Sequence, residues 1–197
     1  MRMIVAAAAA LALAGTAALA QQKAPAASVA FAKKVAGANS FAIQSSELAQ
    51  DRAQADEVRT FARQMIADHT KIGKDFSSAV GVANIALPAP EEPSAKQKAL
   101  LAKLRSAKGP AFDKAYLAAQ VTGHKEAVSV LRKYAKSGRT AEFKQFAQQT
   151  LPVVKQHLSE LSMLTNQAVA AGQRRTGVGS RAIGPPAGRA PAGEKRP

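Results

Sequence analysis

The chain has 197 residues, a formal net charge of +15, no cysteine and no tryptophan, and only three histidines. The absence of cysteine excludes disulfides, thiolate catalysis and cysteine-ligated metals together. After an N-terminal leader, the length suits one domain, and its alanine-rich, aromatic-poor composition favours helices.

The first twenty residues read as an export signal rather than as fold. Arg2 gives a short positive start, Ile4 to Leu13 an apolar run, and Ala18-Leu19-Ala20 the small-x-small pattern of a signal-peptidase site. The run is shorter than the roughly 20 apolar residues a membrane span needs, so cleavage before Gln21 and a periplasmic address without a transmembrane anchor are expected. Residues 21–27 then form a linker to a bundle domain at 28–172.

Four long helical patterns fill that domain. The first runs from about Ser28 to Ala49, with Phe31, Val35, Ala38, Ala42, Ser45 and Leu48 on one stripe. The second, from about Ala55 to Val80, places Val58, Phe61, Met65, His69, Ile72 and Phe76 at alternating three- and four-residue steps. A connection through Gly81 to Lys108 contains Leu87-Pro88-Ala89-Pro90 and a short helix near Ala95 to Ala107, for which Ser94 and Gln97 make a capping box. The third long helix opens at Gly109-Pro110, carries Leu117, Val121, His124, Val128 and Leu131, and closes before Gly138. The fourth, from about Thr140 to Ala170, carries Phe143, Phe146, Thr150, Val154, His157, Leu161 and Leu164, with Pro152 expected to kink it. The short first and last connections force antiparallel pairs, and the long central one can run the length of a bundle. The fold class expected is therefore all-α, a ferritin-like four-helix bundle.

The last stretch, 173–197, has no apolar periodicity and reads as a disordered basic tail. Arg174, Arg175, Arg181, Arg189, Lys195 and Arg196 stand there against Glu194 alone. In an exported protein such a tail is expected to meet anionic envelope components rather than nucleic acid.

His69, His124 and His157 each fall on an apolar stripe, one per helix. At a rise of about 1.5 Å per residue, they lie roughly 21, 21 and 25 Å into their helices, near mid-height and level with Asn39 and Ala42 on the first helix. Two readings follow. The histidines form a buried polar layer that fixes register, or they ligate a transition metal, for which imidazole is suited. Neither Glu-x-x-His nor paired carboxylates accompany them, because Ile66, Val121 and Val154 precede them by three. Asp68 can orient an imidazole, while Asp113, Tyr116, Gln120 and His124 lie along one side of the third helix. No nucleophile triad or phosphate loop is present, so no enzyme and no obligatory cofactor are expected.

The ordered set Asp68-His69-Thr70, Phe112-Asp113-x-x-Tyr116, Gln120, His124 and Leu151-Pro152 with His157 resembles the domain of unknown function 4142 family from about Phe31 to Leu164. The resemblance implies a ferritin-like bundle and an envelope address, often associated with the outer membrane, and no established activity. It also implies a glutamate on the first helix where Ala42 stands, and its absence here counts against a metal role. The function expected is a binding or structural role in the envelope, with a histidine-ligated metal-binding or redox-active bundle as the alternative.

Intact-mass measurement of the protein from a native envelope extract should find a chain beginning at Gln21. A membrane-integral species retaining Met1 would overturn the export reading.

Overall fold

A computed structural model describes residues 25–86 and 92–179, so the leader, the Leu87–Pro90 motif and most of the basic tail lie outside the described residues. The helices are α1 (Ala26–Arg52), α2 (Asp56–Val82), α3 (Ala95–Ser106), α4 (Gly109–Ser137) and α5 (Ala141–Gly179), with no strand among the described residues. This is the all-α bundle expected from the periodicity.

Two apolar clusters give the helix directions. One joins Phe31 and Val35 near the start of α1 to Phe76 near the end of α2, Leu131 and Tyr134 near the end of α4, and Phe143 and Phe146 at the start of α5. The other joins Ala49 and Ala53 to Val58, Phe61, Phe112, Tyr116 and Leu161. Hence α1 and α5 run opposite to α2 and α4. Helix α1 packs on α2 and α4, and α5 packs on the same two. The crossover between α2 and α4 accordingly returns along the bundle, and α3 lies on it against α1 and α4. Leu101 of α3 joins Phe41 and Ala119 in a small apolar cluster that holds it there.

Local chemistry sets the ends. The Ser94 hydroxyl accepts from the Gln97 N–H, and the Gln97 side chain accepts from the Ser94 N–H, so the short α3 begins with a complete capping box. Gly109 has φ +54°, a left-handed conformation that favours glycine, and Pro110 follows in the first turn of α4. Gly138 ends α4 in an extended conformation rather than a left-handed one. A Cβ there would fall 2.2 Å from the Tyr134 ring. Tyr134 stacks on Phe31 and its hydroxyl meets Ser28, so the glycine lets this ring close the top of the core.

Helix α5 continues to Gly179, beyond Gly172 where the apolar pattern stops, so the basic segment does not begin as irregular chain at Gln173. Residues 166–174 are exposed.

Asp113 explains how α2 starts without a capping side chain of its own. Its N-cap is Ala55, and the two Asp113 carboxylate oxygens accept from Gln54 N–H and Ala55 N–H, each at 2.9 Å. An acid supplied by α4 thus occupies the positive end of α2. Asp113→Ala leaves both N–H groups without this acceptor and should lower unfolding stability by about 1–3 kcal/mol in urea denaturation. Unchanged stability would mean that the carboxylate does not hold the α1–α2 turn.

Candidate metal centre

The two apolar clusters are separated by a polar layer at mid-height. His69, His124 and His157 are 6, 3 and 1 % exposed, and their ring centroids form a near-equilateral triangle of 5.6, 5.5 and 5.5 Å. One ring nitrogen from each histidine lies within 4.8 Å of the others.

The other ring nitrogen of each histidine is anchored to an oxygen. His124 Nδ1 is 2.9 Å from the Gln120 carbonyl, one turn earlier on α4. His157 Nε2 is 2.9 Å from an Asp68 carboxylate oxygen on α2, and His69 Nδ1 is 2.9 Å from Asn39 Oδ1 on α1. A carbonyl and a carboxylate only accept, so each of these ring nitrogens carries the proton and donates. That fixes the tautomer and leaves His69 Nε2, His124 Nε2 and, in the neutral ring, His157 Nδ1 with lone pairs. These three atoms are buried and make no hydrogen bond within the protein. Three acceptors gathered in one place cannot satisfy one another. A cation can satisfy all three.

The dimensions agree with such a cation. Imidazole nitrogens about 2.0–2.1 Å from a tetrahedral ion place ring centroids roughly 5.2 Å apart, a few tenths of an ångström inside the present triangle. The anchoring oxygens also match the usual environment of a ligating histidine, whose second nitrogen donates to a carboxylate or carbonyl. Among the described residues no carboxylate joins the ligand set, and Ala42 on α1 is packed in the lower apolar cluster. The arrangement therefore differs from a carboxylate-bridged di-iron centre.

Burial and neighbouring charge disfavour protonation of His69 and His124. Desolvation, then the nearby His124 and His157, hold His69 well below the ordinary histidine range. Burial, then His157, bring His124 down to about 4, against an opposing pull from the Gln120 carbonyl.

The remaining polar residues divide by height. Gln120 is 1 % exposed, and its amide N–H reaches Ser45 at 2.8 Å and Ser46 at 3.4 Å. Ser46 meets the Tyr116 hydroxyl at 2.9 Å, so a polar ladder descends from the histidines into the lower core. Burial raises the Tyr116 hydroxyl well above the usual tyrosine range, leaving it a neutral hydrogen-bonding group. Asp113 is not part of the histidine layer. It lies eleven positions from His124, about 16 Å along the axis, at the α1–α2 turn. Asp68 orients His157 rather than its sequence neighbour His69. Asn39 is the partner that stripe analysis does not assign, although its level on α1 indicates it. Gly73 makes room for it, since a Cβ there would fall 3.0 Å from the Asn39 amide nitrogen.

No functionally curated protein matches the sequence. Two crystal structures share the fold. One is the "putative secreted protein DUF305" of Streptomyces coelicolor, at 17 % identity and a TM-score of 0.60, with 72 % of this chain and 92 % of that one covered. The other is a DUF305 fragment from Deinococcus radiodurans, at 15 % identity and a TM-score of 0.63, with 74 % and 99 % covered. A family model described as Domain of unknown function (DUF4142) matches residues 12–164, most of the chain, and the protein belongs to that family.

Proposed function

We propose that the protein is an exported bundle that binds one late first-row divalent metal, zinc or copper, through His69 Nε2, His124 Nε2 and His157 Nδ1. The observation that carries this reading is the set of three converging, unpartnered ring nitrogens whose opposite nitrogens all donate to oxygen. Imidazole suits these metals, and three histidines leave one position of a tetrahedral site open. A layer that only fixed helix register would need donors facing these acceptors, and the rings supply none. Export rests on the leader pattern, on the absence of any membrane-spanning helix among the described residues and on a structural relative named as secreted. The basic residues beyond Gln173 would hold the protein near anionic envelope surfaces by screened, non-specific attraction.

Calorimetric titration of the mature chain should give one zinc or copper per protein, with His69→Ala, His124→Ala and His157→Ala each losing it. Asp68→Ala leaves the ligands in place but frees the His157 ring, and should weaken binding by about 10–100-fold. A wild-type protein that takes up neither metal, or a His124→Ala variant that binds as well as wild type, would refute the assignment.

Protons compete for the same nitrogens. In the metal-free protein His69 and His124 titrate below their unfolded value of about 6.5, so as pH falls the unfolded chain binds protons first. Stability should therefore be full above neutrality and decline between about pH 7 and pH 4. The melting temperature of the metal-free wild type should drop across this window, and His124→Ala should flatten the profile. Identical profiles for the two proteins would show that the buried imidazole does not control acid stability.

A further inference from the structure

A cavity of about 620 Å³ lies against the histidine layer, between α1 and α4 and beside the start of α3, with α5 as part of its wall. Asn39 and His69 line it directly. Ile72, Ala127 and Val154 also line it, and each stands three positions, about one helical turn, from a site histidine on its own helix. The cavity therefore meets the histidine layer at His69 and lies about one helical turn from the other two rings. Its inner wall is otherwise largely apolar.

The mouth is more polar, and its charges are unequal. Glu92 and Glu126 are at the rim, but Lys98 pairs with Glu92 and Lys96 pairs with Glu126 at 2.6 Å. Lys33 and Lys34 share the rim and make no ion pair among the described residues. The free charge at the opening is positive.

A metal in this site carries the same sign inward. Three imidazoles contribute no charge to a divalent ion, and the carboxylate that touches a ligand is Asp68, behind His157. Buried charge left uncompensated is strongly unfavourable, and a three-histidine site leaves a coordination position for an added ligand. An anion answers both requirements. The apolar wall next to the position asks in addition for an apolar body behind the anionic group.

We propose that the cavity admits a small aliphatic carboxylate, which enters past Lys33 and Lys34, lodges its chain against Ile72, Ala127 and Val154, and completes the metal's coordination with its carboxylate. The proposal rests on the metal-site reading. It assigns the cavity a ligand class and makes Ala127 and Ala38, both in its lining, determinants of what fits.

The test uses the mature protein loaded with cobalt(II), whose visible absorption reports coordination, titrated with butyrate and, separately, with butylammonium. Butyrate should shift the bands saturably and butylammonium should not. Ala127→Phe and Ala38→Leu, each filling the cavity away from the ligating atoms, should each weaken butyrate by at least about tenfold. Their cobalt affinity should stay within about threefold of wild type. A Lys33→Gln/Lys34→Gln variant should bind butyrate more weakly and with less dependence on salt. Cobalt binding without any response to butyrate would overturn this proposal and leave the metal site standing. A butyrate response unchanged in both filled variants would overturn it as well, because the anion would then arrive by another route. Failure of the wild type to bind cobalt at all would remove the metal site and this proposal together.

Discussion

Three imidazole edges turned toward one another in the middle of an apolar bundle are the constraint on which the rest of this structure depends. Each ring is locked by a hydrogen bond on its far side, to Asn39 from α1, to the Gln120 carbonyl within α4 and to Asp68 from α2. The anchors come from three helices and the rings from three, so the layer ties all four long helices together. Without a cation, three buried acceptors face one another unsatisfied, and such groups cost about 1–3 kcal/mol each. With one, the same atoms become ligands, and binding energy adds to folding energy.

The packing around the layer serves this geometry. Apolar clusters above and below fix the helix positions, while Phe61 sets its ring edge-on to His157 at 6.3 Å from the lower side. Below, Gln120, Ser45, Ser46 and Tyr116 form a hydrogen-bonded ladder between α4 and α1, one turn from His124. Above, the core is incomplete, because Gly37, Ala38, Gly123 and Ala127 present little or no side chain where α1 faces α4. A Cβ on Gly37 would come 3.2 Å from the Glu92 carbonyl, so the crossover also lies close to that opening. The two sides of the layer differ in kind: one is packed, and the other borders the cavity at His69.

Much of the bundle was legible in the sequence because helical periodicity and the length of the central connection leave few alternatives. The stripe of Val58, Phe61, Met65, His69, Ile72 and Phe76 is buried on α2 as a set. Histidine heights follow from residue counts alone, since the rise per residue is nearly constant. The directions of side chains around the axis are less accessible. Asp68 precedes His69 by one residue and so points about 100° away around the helix, which carries it to α5 and His157. Asp113 shares a side of α4 with His124, but sharing a side does not mean sharing a level, and it serves the α1–α2 turn instead. The cavity left almost no trace in the pattern, because an alanine on a stripe reads the same whether a neighbour fills the space above it or not.

Nitrogen-15 NMR of the histidine rings measures directly which ring nitrogens are protonated and which are offered to a metal. With only three histidines in the chain, each ring can be assigned by substitution. Protons are expected on Nδ1 of His69 and His124, the tautomer that water disfavours, and on Nε2 of His157. Zinc should then shift His69 Nε2, His124 Nε2 and His157 Nδ1 by coordination while their protonated partners keep their protons. Nε2-protonated rings at His69 and His124, or ring nitrogens that do not respond to zinc, would contradict this assignment.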